Sequence, residues 1–98
     1  MHIVRPAILI VDDDPLLLAL LEHHLGAAGF AVSTADSGAA ALDAIRMQRP
    51  DVVILDAMMP VMGGVEVLHR LRADPQLCGI KVIMLTTLHG EQHVLKAF

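Results

Sequence analysis

The stretch VVILD at Val52–Asp56 runs four apolar residues directly into a carboxylate. A second stretch has the same form, because AILIV at Ala7–Val11 is followed by three aspartates, Asp12 to Asp14. Unbroken apolar runs of this length are typical of strands that are buried on both faces of a parallel sheet. Open α/β folds place their chemistry where such strands end. We therefore expect the two acidic groups to lie close together at one edge of a parallel sheet.

Strand-like and helix-like segments alternate along the rest of the chain. Asp14 followed by proline marks the start of a first helix, since an acid at the cap and proline at the first helical position favour initiation. Asp36 or Ser37 caps a second helix, which Pro50 stops. Strands separated by helices need right-handed crossovers, so the predicted fold is α/β with a parallel sheet in the order 2-1-3-4. The predicted strands are 7–11, 30–34, 52–55 and 81–85. The first helix starts at Pro15 and is ended by Gly29, the second follows its cap and stops before Pro50, the third is 65–71 and the fourth begins over 91–98.

The overall composition indicates one small globular domain. Of its 98 residues, 55% are hydrophobic and 18% are charged, and the formal net charge is -4. The longest uncharged apolar stretch is far shorter than the ~18 residues of a membrane span, and the N-terminus lacks a signal-peptide pattern. Cys78 is the only cysteine, so we expect no internal disulfide and a cytoplasmic location. Without a basic patch, and with Phe30 and Phe98 as the only aromatic residues, the segment is not expected to bind nucleic acid directly.

The predicted fourth strand is too apolar to form a solvent-facing edge of the sheet. Its residues Val82–Leu85 read VIML, and an exposed edge of this kind invites aggregation. The strand therefore reads as an inner strand that needs a fifth neighbour. We expect residues 1–98 to form one domain that is C-terminally incomplete, without its fifth strand and fifth helix. The alternative is that a second copy covers the fourth-strand edge, as a homodimer or through a swapped segment.

Three converging carboxylates repel one another, and a hard divalent cation relieves that repulsion. Mg²⁺ takes oxygen ligands and is often held by one or two carboxylates plus waters. A carboxylate can also act as the nucleophile in phosphoryl transfer and form an acyl phosphate. Asp56 is the best placed, since Met59-Pro60 and Gly63-Gly64 let the backbone turn close to it. Thr86 ends the fourth strand at the same edge, and a hydrogen bond from its hydroxyl to the phosphoryl group would draw Thr87 to Gly90 inward as a switch.

In this order, the segments resemble the receiver domains of two-component response regulators. The matching residues are Ile8–Asp14, Gly26–Ala35 with Gly38 and Leu42, Leu55–Pro60 with Gly64, and Val82–Thr86. The resemblance implies a flavodoxin-like (CheY-like) fold, Mg²⁺ as the cofactor, and a sensor histidine kinase or phosphotransfer protein as the phosphodonor. It also implies that Asp56 is the phosphoacceptor and Thr86 the switch hydroxyl. The implied metal ligands are Asp12, Asp13, Asp56 and the backbone carbonyl of Met58.

One part of the family pattern is not found in these residues. Family members carry, on a fifth strand, a lysine that contacts the phosphoryl group and an aromatic residue that moves with the switch threonine. The two lysines here are Lys81, which opens the fourth strand, and Lys96, which lies in the predicted fourth helix. A cation ~4 Å from a phosphate contributes ~4 kcal/mol at an effective dielectric constant near 20. We therefore expect slow or absent phosphorylation of these 98 residues by themselves.

Two other functions are compatible with the same residues. A pseudo-receiver would keep the fold as an interaction module without efficient phosphotransfer. A Mg²⁺-dependent phosphatase that works through an aspartyl phosphate would need a second aspartate two positions after the nucleophile, where this sequence has Met58. Helix capping alone would explain Asp14, but it would not explain Asp12 and Asp13. The residues therefore favour a signalling module over an enzyme that turns over an external substrate.

Overall fold

The computed structural model describes residues 4–88 and 92–97 of the chain. Its elements are β1 (Ala7–Val11), α1 (Pro15–Ala27), β2 (Ala31–Ala35), α2 (Gly38–Met47), β3 (Val52–Asp56), α3 (Gly64–Ala73), β4 (Lys81–Leu88) and β5 (Gln92–Ala97). The strands form one sheet in the order β2-β1-β3-β4-β5, and β1 to β4 run parallel. This confirms the predicted α/β, CheY-like parallel sheet with the order 2-1-3-4.

The first two helices begin at side-chain caps. The Asp14 carboxylate accepts hydrogen bonds from the backbone N–H groups of Leu16 at 2.9 Å and Leu17 at 3.4 Å. Ser37 Oγ accepts one from the N–H of Ala40 at 3.1 Å. Such caps replace the hydrogen bonds that the first turn of a helix cannot make internally. Of the two caps predicted for α2, Ser37 is the one that the structure uses.

Helices cover both faces of the sheet, with α2 and α3 on one face and α1 on the other. Successive side chains of a strand point to opposite faces. Leu9 and Val11 of β1 accordingly join the larger hydrophobic cluster, while Ile8 and Ile10 join the smaller one with Leu18 of α1. This two-sided burial accounts for the unbroken apolar runs of β1 and β3, and it holds the carboxyl ends of these two strands in place.

The prediction for the C-terminal region was wrong. Residues 92–97, which lie within the predicted fourth helix at 91–98, form the strand β5 instead. The fourth strand does not end at Leu85, because β4 continues to Leu88. β5 runs antiparallel to β4, from Ala97 opposite Ile83 to Gln92 opposite Leu88. The two ends of the predicted helix, residues 91 and 98, lie outside the described residues.

The physical reason for this strand is the open edge of β4. Unpaired N–H and C=O groups along an apolar strand favour pairing with another segment, whereas a six-residue helix is marginal in water without packing partners. The prediction that the outer edge of β4 is uncovered, and so open to a homodimer or a swapped segment, is therefore wrong. In the structure, β5 pairs with this edge. Of the predicted switch loop, Thr87 and Leu88 belong to β4, and residues 89 and 90 lie outside the described part of the chain. Among the helices described, none is long and apolar enough to cross a membrane.

Candidate functional site

The carboxyl ends of β1 and β3 bring three aspartates together. Val11 lies opposite Leu55 in the register, so Asp12 and Asp56 follow from neighbouring positions. One carboxylate oxygen each from Asp12, Asp13 and Asp56 lies within 4.8 Å of the other two. Asp12 is buried, with 5% of its surface exposed, while Asp56 is half-buried and Asp13 is exposed. The cluster therefore has a buried base and an opening to solvent.

The environment of Asp12 is unfavourable for an isolated negative charge. Burial raises the pKa of the Asp12 carboxyl above its ordinary value, and the nearby carboxylates of Asp56, Asp13 and Asp14 raise it further. A hydrogen bond that the backbone N–H of Asp14 donates to Asp12 Oδ1 at 2.9 Å lowers the pKa and offsets part of this effect. A bound cation would remove the remaining penalty, because it attracts the ionised carboxylates.

Asp56 is held in a defined orientation by the backbone that follows it. The N–H of Met58 donates a hydrogen bond to Asp56 Oδ1 at 2.9 Å, in a local turn that aspartate side chains often form. The side chain of Met58 is 75% exposed and lies away from the core. The carbonyl of Met58, the fourth predicted metal ligand, thus belongs to a residue whose backbone is fixed relative to the Asp56 carboxylate.

The start of α3 packs directly against the backbone of Asp56. A Cβ atom on Gly64 would lie 2.5 Å from the carbonyl oxygen of Asp56, so a residue with a side chain could not occupy this position without moving the strand end. The N–H of Gly64 donates to the carbonyl of Ala57 at 3.3 Å. Glycine at this position therefore allows the close approach of helix and strand, as the pair Gly63-Gly64 indicates in the sequence.

Thr86 lies on the neighbouring strand at the same edge of the sheet. Leu85 is the register partner of Asp56, so the backbone of Thr86 is one position further along β4. The carbonyl of Leu85 accepts a hydrogen bond from the N–H of Ala57 at 3.0 Å, which ties β4 to the residue after Asp56. Thr86 is also paired with Val94 of β5. Its backbone thus lies at the same edge of the sheet as the acidic cluster, and the switch role stays a prediction.

A strained turn in the loop between β3 and α3 was not anticipated from the sequence. Val61 has a positive φ of 67°, and the N–H of Met62 donates to the carbonyl of Pro60 at 2.7 Å. Together these features describe a γ-turn of the rare form, which a β-branched residue adopts only under strain. The strain is confined between two anchors, because Met59 is buried in the larger cluster and Met62 packs against it. No local sequence signal indicates this turn.

The donor set matches the chemistry of Mg²⁺. The described cluster offers only oxygen ligands, and hard divalent cations prefer these over nitrogen or sulfur. One ligand is exposed, which leaves room for waters or a phosphoryl oxygen in the remaining coordination positions. The arginines of α2 and α3 do not neutralise the acidic cluster. Arg46, Arg70 and Arg72 lie in the last turns of these helices, at the opposite edge of the sheet.

Comparison with known proteins identifies the family. The family model for the response regulator receiver domain matches residues 8–98. The chain belongs to the response regulator receiver family. The resemblance inferred from its acidic strand ends is therefore confirmed, and the chain is a signalling module of the two-component type.

Individual relatives agree with this assignment. The chain is 39% identical to the probable transcriptional regulatory protein TcrX of Mycobacterium tuberculosis, over 93% of this chain and 43% of that protein. It is 44% identical to the DNA-binding response regulator MtrA of Mycolicibacterium smegmatis, over 88% of this chain and 36% of that protein. It thus spans less than half the length of these relatives. Among solved structures, the chemotaxis protein CheY4 of Vibrio cholerae superimposes with a TM-score of 0.83 at 36% identity, covering 89% of this chain and 72% of that one.

Proposed function

We propose that this receiver accepts a phosphoryl group on Asp56, with Mg²⁺ held by Asp12, Asp13, Asp56 and the carbonyl of Met58. The phosphodonor is a sensor histidine kinase or a phosphotransfer protein. The observation that carries the proposal is the cluster itself, in which three carboxylate oxygens from two neighbouring strand ends lie within 4.8 Å of one another. Like charges at this distance repel one another, and a bound cation offsets the repulsion.

In the proposed reaction, the free oxygen of the Asp56 carboxylate attacks the phosphorus of a phosphohistidine. A P–O bond forms, the P–N bond breaks, and the imidazole leaves with the electron pair and takes up a proton. The hydrogen bond from Met58 N–H holds Asp56 Oδ1, which restricts the rotation of the carboxylate and leaves the other oxygen for the attack. Bound Mg²⁺ would neutralise charge on the carboxylates and on the transferred group. Asp12 is buried, and charges interact more strongly where less water screens them.

The proposed output begins at Thr86. Its hydroxyl donates a hydrogen bond to a phosphoryl oxygen on Asp56, and this contact biases the end of β4 between two arrangements. The register supports this role, since Thr86 is the residue after the β4 partner of Asp56. Movement there would be passed to β5, which is paired with β4 from Ile83 to Leu88. TcrX is named a probable transcriptional regulatory protein and MtrA a DNA-binding response regulator, so we propose DNA-linked regulation as the output of the phosphorylated receiver.

The test compares Asp56→Asn with Asp43→Asn, because Asp43 is an exposed carboxylate on α2. Each protein is incubated with acetyl phosphate and Mg²⁺, and phosphorylation is followed by intact mass. Asparagine keeps the size of the side chain but lacks the nucleophilic oxygen, so Asp56→Asn should lose at least ~10³-fold in rate. Asp43→Asn should label like the unsubstituted chain. Measurable and equal labelling of both variants would reject Asp56 as the phosphoacceptor.

A second candidate, an interaction module with inefficient phosphotransfer, is favoured by where the lysines lie. Lys81 is the first residue of β4, at the amino edge of the sheet and away from the acidic cluster. Lys96 lies on the antiparallel strand β5, opposite Met84 of β4, and so does not follow the carboxyl end of a parallel strand. Removing one stabiliser of a developing charge typically costs on the order of 10²–10³ in rate. We expect slow labelling of these 98 residues, and rapid stoichiometric labelling would exclude this candidate.

A further inference from the structure

A short connection between β2 and α2 contacts the backbone of Asp12 on one side and the loop that follows Asp56 on the other. We call residues 35–38, which join these elements, the bracket. On one side, the N–H of Asp12 donates a hydrogen bond to the carbonyl of Ala35, the first residue of the bracket, at 3.1 Å. The position of the Asp12 backbone therefore depends on the bracket as well as on β1.

On its other side, the bracket meets the loop that follows Asp56. Gly38, the last bracket residue and the first residue of α2, is buried. A Cβ on Gly38 would lie 2.8 Å from the carbonyl oxygen of Met62 and 2.9 Å from both its Cβ and Cγ. Contacts under 3.0 Å are essentially never made by real Cβ atoms, and two of the three partner atoms belong to the backbone or its first side-chain carbon. Only glycine allows the loop to lie this close to α2.

The loop segment that Gly38 contacts is the strained one. Met62 follows Val61, whose φ is 67°, and its N–H closes the γ-turn onto Pro60. Strained backbone persists only where its surroundings hold it in place. Here the holding contacts are the burial of Met59, the packing of Met62 on the core, and the backbone of Gly38 on the far side.

Both ends of the same loop, which connects β3 to α3, contact Asp56. Its first residues include Met58, whose N–H fixes Asp56 Oδ1, and its last leads into Gly64, which packs on the Asp56 carbonyl. A displacement of Met62 would therefore be transmitted to the Asp56 carboxylate, while Asp12 stays tied to Ala35. The bracket thus links the two acidic strand ends from outside the site, without presenting a ligand atom to it.

We propose that Gly38 is a positioning residue that sets the separation between Asp12 and Asp56 through its contact with Met62. The inference rests on the proposed function, because the geometry being set is that of the Mg²⁺ and phosphoryl site. A purely structural role would predict lost stability and nothing else. A positioning role predicts that more Mg²⁺ is needed to fill the site, while the reaction at saturating Mg²⁺ is retained.

The decisive variant is Gly38→Ala, and Gly26→Ala is its matched control. Gly26 is also helical, but a Cβ there would meet nothing within 4 Å. Labelling with acetyl phosphate is measured across Mg²⁺ concentrations, and Mg²⁺ uptake alone is measured by calorimetry. In Gly38→Ala, the half-saturating Mg²⁺ concentration and the calorimetric dissociation constant should both rise about tenfold, as when a residue that orients metal ligands is changed. The labelling rate at saturating Mg²⁺ should stay within about twofold. Gly26→Ala should match the unsubstituted chain in all three quantities.

A second pair of variants decides the question if Gly38→Ala does not fold. Met62→Ala removes the side chain that contacts Gly38, and Leu68→Ala removes another half-buried side chain packed on the same cluster. Weaker Mg²⁺ uptake in Met62→Ala alone supports the positioning role. An unchanged Mg²⁺ requirement in Gly38→Ala, or equal loss in Met62→Ala and Leu68→Ala, overturns it and leaves the proposed function standing. Absence of Mg²⁺ uptake by the unsubstituted chain overturns both.

Discussion

The two edges of this sheet use polar side chains in opposite ways. At the amino edge, charged side chains form hydrogen bonds to the backbone of another segment. Asp51 Oδ2 accepts a hydrogen bond from the N–H of Ala7 at 2.7 Å, and Arg72 Nη1 donates to the carbonyls of Cys78 and Ile80, both at 2.8 Å. At the carboxyl edge, the hydrogen bonds that the carboxylates of Asp12 and Asp56 accept from residues 4–88 and 92–97 are local and come from residues two positions on.

The comparison shows two kinds of charged group. Those at the amino edge stabilise the folded state, and those at the carboxyl edge destabilise it. Each polar group named at the amino edge closes a gap between segments, so its loss should reduce stability. The carboxyl edge instead concentrates like charges, one of them buried, and their loss should relieve the folded state. The following experiments test this contrast, beginning with the largest effect.

The largest effect is expected for Asp12→Asn. Asparagine keeps an oxygen for the N–H of Asp14 but lacks the negative charge, so Mg²⁺ affinity should fall by about 100-fold or more. Without metal, removal of a charge crowded by other carboxylates should raise the free energy of unfolding by ~1 kcal/mol. Calorimetric Mg²⁺ titration and urea unfolding in EDTA measure the two quantities.

Asp14→Asn is the matched control for that substitution. Asparagine caps a helix about as well as aspartate, so α1 should keep its start and Mg²⁺ affinity should change little. The contrast between the edges fails if Asp12→Asn destabilises the metal-free chain, or if both variants bind Mg²⁺ equally well.

An intermediate effect is expected for Arg72→Ala, which should lower the free energy of unfolding where Asp12→Asn raises it. The two carbonyls of Cys78 and Ile80 lose their donor just before β4 begins, and hydrogen bonds from charged groups of this kind contribute about 1–3 kcal/mol. Urea unfolding should show this loss, while the Mg²⁺ dissociation constant stays the same. Arg70→Ala, which breaks an exposed ion pair with Glu66, should cost no more than ~0.5 kcal/mol. Weakened Mg²⁺ binding in Arg72→Ala would show that the two edges are coupled.

The smallest effect is a pH dependence of the metal-free chain. Burial and neighbouring carboxylates raise the pKa of Asp12 in the folded state, so the folded chain binds this proton more readily than the unfolded one. The resulting stabilisation is present at low pH and is lost as pH rises through the folded pKa. The advantage of Asp12→Asn over the unsubstituted chain should therefore be greatest at neutral pH and shrink on acidification. A difference that stays constant with pH, in urea unfolding with EDTA, would contradict this.

The parallel core of the fold was predictable because its signals are local and redundant. The run AILIV forms β1 over the predicted residues, and VVIL forms β3 with Asp56 as its last residue. Asp14 and Ser37 cap their helices as their residue types suggest. The approach of Asp12 to Asp56 followed from the strand order alone, since parallel strands end at the same edge.

The parts that were mispredicted or missed depend on distant contacts. Residues 92–97 carry no pattern strong enough to choose between helix and strand, and the open edge of β4 decides the outcome. The γ-turn at Val61 contradicts the preference of its own residue type, because the anchors on either side of it impose the turn. Gly38 reads in the sequence as an ordinary helix start, and its contact with Met62 becomes visible only in three dimensions.

The pairing of β1 with β3 closes one long loop twice. Ala7 and Asp51 are 44 residues apart, as are Asp12 and Asp56, and each pair meets at one end of the same two strands. Closing a loop of this length costs entropy that only the non-local contacts can offset, so we expect neither meeting before β1 pairs with β3. An N-terminal fragment that stops before β3 would therefore lack both contacts and leave the acidic end of β1 without its neighbouring strand end.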